Sequence, residues 1–332
     1  MNYYLKRTLQ IPLTILAVAT LSFGLIRLLP GGPFTQLRLQ LLQQGVPAEQ
    51  VDARIEALQN IRPDAPLWQQ YIDYMIGVVQ LDLGQSISLN EPVMAVVARA
   101  LPWTVFLVVT STILMFVIGV LLGSIQAYWE GSRFDQIASG GSILLMSIPY
   151  YIFAVIFLFF LAFQLRWFPT GNTVERGLDA SQPLLYFSSV LYHAALPILA
   201  FTIGGVGSTA LNMRGNGIQV LGEEYVEVAR LRGLSDSRIA TRYVAKNAIL
   251  PMYTGFILII GFRLGGTVVL EEIFSYRGIG YRMIEALRAN DYPLMMGCFL
   301  VITVTLVVGV YIADMTYGLI DPRISAGESD EY

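Results

Sequence analysis

Six runs of apolar residues, at about 9–29, 101–128, 137–165, 191–212, 250–270 and 294–316, constrain this chain more than any other feature. A helix crossing the hydrocarbon of a bilayer needs about 20 mostly apolar residues, and each run supplies them. An isolated segment in lipid must satisfy its own backbone hydrogen bonds, so each run is predicted to be helical. The expected fold is an all-α polytopic membrane protein with six transmembrane helices. Charged residues make up 14% of the 332, against about 25% in an ordinary soluble domain. The first run follows Lys6 and Arg7 and ends in Arg27-Leu28-Leu29-Pro30 without a small-x-small cleavage pattern, so it reads as a retained helix, not a secretory signal.

Basic residues orient the helices. Lys6 and Arg7 favour a cytoplasmic N-terminus, and six crossings return the C-terminus to that side. The 213–249 loop is then cytoplasmic and holds Arg214, Arg230, Arg232, Arg238, Arg242 and Lys246, against Arg166, Arg176, Arg277, Arg282 and Arg288 in the opposite loops. The expected organisation is a transmembrane helix over 1–30, an extracytoplasmic cap over 31–100, a transmembrane helical core over 101–320 that contains the 213–249 loop, and a cytoplasmic tail over 321–332. In the cap, Val51, Ile55 and Leu58 mark one helical face, and Leu67, Trp68, Tyr71, Ile72 and Met75 mark another. These stripes pack on each other or lie at the membrane surface, in a segment that either covers the outer mouth or receives a delivering protein. Gly119-x-x-x-Gly123 and Gly261-x-x-x-Gly265 allow close helix contact.

Several chemistries are missing. A net charge of −3 without a basic, aromatic-interleaved stripe argues against a nucleic-acid partner. Cys298 stands alone in an apolar run, as a small buried filler. The two lysines, Lys6 and Lys246, lack the glycine-rich context of a phosphate-cradling loop, and Gly215-x-Gly217 has Val220 where a dinucleotide fold needs a third glycine. A lone His193 cannot make a two-histidine zinc site, and no Gly-x-Ser-x-Gly occurs. The chain is therefore not expected to be an enzyme or to hold a cofactor or metal itself. His193 reads as an interfacial anchor or a ligand for solute, and Arg27 as a snorkelling side chain. Arg263, inside the fifth run, either lines a solute path or makes a salt bridge or helix-capping contact.

The most informative segment runs from Gly222 to Arg238. Glu223, Glu224 and Glu227 crowd the start of a short helix and Arg230 and Arg232 its end, which suits the helix dipole. Gly233 is placed for a left-handed stop and Ser235 for capping a second helix to about Asn247, with Pro251 near the start of the fifth run. Such a loop is either a solvated basic connection that sets topology or an elbow that docks into another protein.

Glu227-Val228-Ala229-x-x-x-Gly233, ending at Ile249-Leu250-Pro251, resembles the coupling loop of ABC importer permeases. Glu224-Tyr225-Val226-x-x-Ala229-Arg230-x-x-Gly233-Leu234-Ser235 is similar to the dipeptide, oligopeptide and nickel branch, in its B-type subunit. Pro30-Gly31-Gly32-Pro33, Leu81-Asp82-Leu83-Gly84-x-Ser86, Glu272-x-Phe274-x-x-x-x-x-Gly280, Asp291-Tyr292-Pro293 and Asp321-Pro322-Arg323 match further landmarks; Arg277, Gly32 and Ala313 depart from them. The resemblance implies a type I importer permease in a prokaryotic inner membrane, forming half of a pathway for peptides or a similar solute. It implies a second homologous permease, two ATPase subunits that carry the ATP and Mg, and an extracytoplasmic solute-binding protein. It points to Glu224, Tyr225, Glu227, Ala229, Arg230, Gly233, Leu234 and Ser235 for coupling, with Ala229 allowing close approach. The alternative is a carrier driven by an ion gradient, although such carriers often hold acids or broken helices at mid-membrane and these runs hold almost no acids, Asp314 lying at the end of the last.

Overall fold

A computed structural model describes residues 3–27, 35–59, 65–179, 181–235, 238–265 and 267–320. The Pro30–Pro33 landmark, Asp321-Pro322-Arg323 and the tail lie outside them, as do the side chains of Lys6, Arg7, Arg27, Ala313 and Asp314. Among the described residues every named element is helical and no strand forms. Three helices are long and apolar enough to cross a membrane, and a bent pair can supply a fourth; a shorter apolar stretch covers Thr8–Gly24.

The chain divides into two compact units. The first holds residues 1–104, 264–268 and 277–332. Here α1 (Tyr3–Arg27) packs on α4 (Leu67–Gln80) and on α13 (Tyr292–Ile320), while α2 (Thr35–Gln43) packs on α3 (Ala48–Gln59). The two stripes expected in the cap go to separate clusters. Val51, Ile55 and Leu58 close on Leu37, Leu41 and Ile87. The inward face of α4 is Gln70, Tyr74 and Val78, with the Phe23 ring of α1 5.4 Å from Tyr71 and 5.6 Å from Tyr74. Leu67, Trp68 and Ile72 stay exposed, because helical periodicity names a face without naming what covers it. A third cluster joins the start of α5 (Val93–Tyr128) to α12 (Ile279–Arg288) and α13 and buries Cys298, the filler role expected of it.

The second unit holds residues 105–263 and 269–276. Its spine is α8 (Pro183–Leu221), 39 residues in one helix, about 58 Å at 1.5 Å per residue and well beyond a bilayer core of about 30 Å. The expected fourth span of 191–212 is only its apolar middle. The Gly119/Gly123 pair brings α5 onto α8 as predicted: a Cβ at Gly123 would stand 2.2 Å from the Ala210 carbonyl oxygen.

Two expectations fail locally. The third span, 137–165, is not one helix: α6 (Arg133–Ser147) and α7 (Tyr150–Phe157) meet at 91°. Ile148 is extended (ψ 120°), the conformation that a following proline imposes, and Pro149 starts α7. α7 then runs into a π-helical turn, Leu158–Gln164. The fifth run is also split, into α10 (Lys246–Leu264) and α11 (Val268–Ile273), with Gly265, a residue that disfavours helix, directly after α10.

Candidate functional site

The segment singled out in the sequence folds as an elbow beyond the end of α8. Gly222 donates its N–H back to Ile218, and α9 (Glu224–Leu231) begins two residues later. α9 closes with paired bonds, Leu234 N–H to the Ala229 carbonyl (3.3 Å) and Gly233 N–H to the Arg230 carbonyl (2.9 Å). This double closure needs a left-handed residue, and Gly233 supplies it at φ +71°. The Ser235 carbonyl accepts from Arg238 and Ile239 and starts the next helix. That helix does not stop at Asn247 as expected. A π-helical turn, Ile239–Ala245, passes directly into α10, with Pro251 inside it. A proline ring and a missing N–H are tolerated where π and neighbouring adjustments absorb them.

The elbow has an inside and an outside. Val226, Ala229, Ile239 and Val244 are buried together, with Val220, Leu221, Leu234 and Tyr243 packed around them. Ala229 therefore allows close approach within the elbow itself, since its side chain faces this cluster. Glu224, Tyr225, Glu227, Arg230, Gly233 and Ser235 are exposed. Tyr225 also ties the two arms, its hydroxyl accepting from Asn247 Nδ2 at 2.8 Å. The outer surface thus mixes charges with the exposed Val228 and Leu231, while the inner one is apolar.

Arg263 sits in the last turn of α10, with its guanidinium carbon 4.3 Å from the centroid of the Phe201 ring. Its Nη1 is buried and has no hydrogen-bond partner among the described residues. No carboxylate pairs with it there; in place of the expected salt bridge the structure gives it a cation–π contact that the sequence did not suggest. His193 Nδ1 lies 2.8 Å from the Ser189 carbonyl one turn back, an intrahelical contact.

Two constellations escaped the sequence reading. In the first unit, Asp291 is fully buried and its Oδ2 accepts from Ser86 Oγ (2.5 Å), Ser88 N–H (2.9 Å) and Ser88 Oγ (2.7 Å), while Oδ1 accepts from Leu294 N–H (3.1 Å). The Leu81–Ser86 and Asp291–Pro293 landmarks, noted separately, are thus two sides of one latch. In the second unit, Asp135 in the first turn of α6 is gripped by Arg214 of α8, Nε to Oδ1 at 2.6 Å and Nη2 to Oδ2 at 2.8 Å. The Ser132-x-x-Asp135 spacing, a helix-start signature, was the signal available for it; Ser132 Oγ does accept from Asp135 N–H.

A family described as the binding-protein-dependent transport system inner membrane component matches residues 119–326, which include α8, the elbow and both arms of the Asp135–Arg214 pair. This chain belongs to that family. Among its relatives, the oligopeptide transport system permease protein AppB of Bacillus subtilis (strain 168) is 30% identical, covering 97% of this chain and 98% of its own length. The dipeptide transport system permease protein DppB of the same strain is 30% identical over 97% of each chain. The di/tripeptide transport system permease protein DppB of Pseudomonas aeruginosa (strain UCBPP-PA14) is 30% identical over 94% of this chain and 95% of itself. The chain is accordingly an inner-membrane permease component of a binding-protein-dependent ABC importer, a transport subunit and not an ATPase. Family membership implies ATPase and binding-protein partners.

Proposed function

We propose that this permease forms half of the pathway of a peptide importer and takes mechanical work from an ATPase subunit through the α9 elbow. The observation that carries the reading is the two-sided elbow: apolar cluster inside, Glu224, Tyr225, Glu227 and Arg230 outside, joined to α8 by a two-residue turn. An outward face of charges and exposed apolar side chains, on a helix packed from behind, suits docking into a socket on another protein. The peptide substrate is supported by the names of the relatives, all three of which carry peptides or oligopeptides.

In this reading α1 and α10 are the first and fifth of six crossings, both termini are cytoplasmic, and a second homologous permease completes the pore about a pseudo-twofold axis. Two ATPases bind ATP and Mg and close beneath the elbows; an extracytoplasmic binding protein delivers solute; the pore switches between two access states. Glu227 and Arg230 make charged contacts to the ATPase, Tyr225, Ala229, Gly233 and Leu234 hold the elbow's shape, and Ser235 starts its second arm. Arg263, a cation without a carboxylate partner among the described residues, lines the solute path and attracts carboxylate groups.

The 91° break between α6 and α7 is a feature that ion-driven carriers also use, so the test must separate the two classes. The complex is reconstituted in vesicles with its ATPases and binding protein, and uptake of a labelled dipeptide is followed with ATP or with an ion gradient. Uptake that requires ATP and the ATPases is expected. Uptake by this chain alone on an ion gradient would overturn the proposal.

A further inference from the structure

We infer that the Asp135–Arg214 pair is the joint through which displacement of α9 is handed to the bent pair α6 and α7. This rests on the coupling reading of α9 given above and extends it to residues outside the elbow. Asp135 and Arg214 act as positioning residues.

The geometry is that of a hinge pin. Arg214 lies two turns before the end of α8, and α9 follows that end after a two-residue turn, with Val220 and Leu221 of α8 packed on the elbow's own cluster. A push on α9 therefore reaches the Arg214 segment through one continuous helix. The guanidinium meets Asp135 as a two-pronged fork at 2.6 and 2.8 Å. Such paired, charge-assisted bonds fix direction as well as distance. Apolar packing, being non-directional, resists sliding less.

Asp135 is itself immobilised. It is buried, and beyond the fork its carboxylate accepts from Gly131 N–H at 3.0 Å and Ser139 Oγ at 3.1 Å. It also sits in the first turn of α6, where the helix dipole favours an anion. Neighbouring helices hold the adjoining residues of α8, although the Arg214 side chain itself is partly exposed. A Cβ at Gly217 would stand 2.7 Å from Ala127 Cβ. Met213 is fully buried between α5 and α10 with Val120 and Ala248, and Asn216 Nδ2 donates to the Ala248 carbonyl at 3.2 Å.

Beyond the fork α6 stays on α8, a Cβ at Gly207 standing 2.2 Å from the Ser142 carbonyl oxygen, until the chain changes direction. Fourteen residues after Asp135 the chain reaches Pro149, where it bends by 91°, and α7 then loosens into the π turn Leu158–Gln164. With a directional grip at the start of α6 and a break at its end, a shift of α8 carries α6 with it as far as the bend. Coupling through such a joint is read by double substitution.

The complex with its ATPases and binding protein is purified and reconstituted with Asp135→Asn, Arg214→Gln, Arg214→Lys and the Asp135→Asn/Arg214→Gln double variant. The readout is peptide transported per ATP hydrolysed, measured with the amount of assembled complex. Asp135→Asn and Arg214→Gln are expected to lower that ratio about tenfold, the scale of one or two lost charge-assisted bonds, with assembly unchanged. Arg214→Lys keeps the charge without the fork and is expected to lose about threefold. The double variant is expected to be no worse than either single, as residues acting in one joint are not additive. A native ratio in assembled Arg214→Lys and Asp135→Asn complexes overturns the inference, as does hydrolysis falling in step with uptake. Should Asp135→Asn fail to assemble, Arg214→Lys decides alone. Gly233→Pro serves as control: if that variant keeps binding-protein-stimulated hydrolysis, the coupling reading of α9 fails, a result distinct from failure of the joint.

Discussion

The elbow and the Asp291 latch stabilise two turns of backbone by opposite means. The elbow turns its charges outward and holds its shape with a small apolar cluster and one left-handed glycine. The latch turns a carboxylate inward and surrounds it with four donors from three residues. An exposed charge is cheap to keep and free to meet a partner. A buried one is tolerated only when every lone pair is answered, and then it fixes a single geometry. In the function proposed above, outward carboxylates serve recognition, while the inward one fixes the backbone around it.

Substitutions can break this contrast in order of size. Asp291→Ala should have the largest effect on stability, because it strands the buried Ser86 hydroxyl and removes the acceptor of Ser88; a loss of about 3 kcal/mol is expected, read as a fall in thermal midpoint of the detergent-purified subunit. Asp291→Asn, which keeps the shape and loses the charge, should cost about half as much. Gly233→Pro should be the most damaging change in the elbow. Its ring sets φ near −65° where the chain needs +71°, and it removes the N–H given to Arg230, at a cost of about 3 kcal/mol. The measurement is stimulated ATP hydrolysis with the subunit still in the membrane.

Gly233→Ala meets open space and pays only for its backbone angle, about 1 kcal/mol. Ala229→Leu should cost about 1–3 kcal/mol by overfilling the inner cluster, seen as weaker coupling between binding-protein addition and hydrolysis. Glu227→Gln should leave stability unchanged within about 0.5 kcal/mol, since the side chain is exposed. Its effect should appear only in co-purification of the ATPase. If Glu227→Gln destabilised the isolated subunit as much as Asp291→Asn, the contrast between outward and inward charge would be lost.

Much of the elbow was legible before any fold was known, because its signals are local. A carboxylate-rich helix start, arginines at the end and a glycine at the stop act within one or two turns of themselves. The orientation of Ala229 was not legible. Its neighbours Ile239 and Val244 come from the second arm, and only the angle of the turn decides whether a small residue faces inward or outward. The break at Pro149 could have been read from the proline alone, but length and hydropathy argued for one continuous span; the backbone restriction on Ile148 won.

The chain's residues by themselves determined a multi-helical membrane protein without nucleotide-binding motifs, and a glycine-stopped helix pair resembling a known coupling loop. The apolar runs do this because lipid offers the backbone no other partner, whatever the rest of the chain does. Only the tertiary structure decided that Ser86 and Ser88 answer Asp291 across more than 200 residues, that Arg214 grips Asp135 across 79, and that Arg263 lies over Phe201. Pairing over such distances is set by which helix faces meet. A side chain's own neighbourhood in the sequence carries no record of that choice.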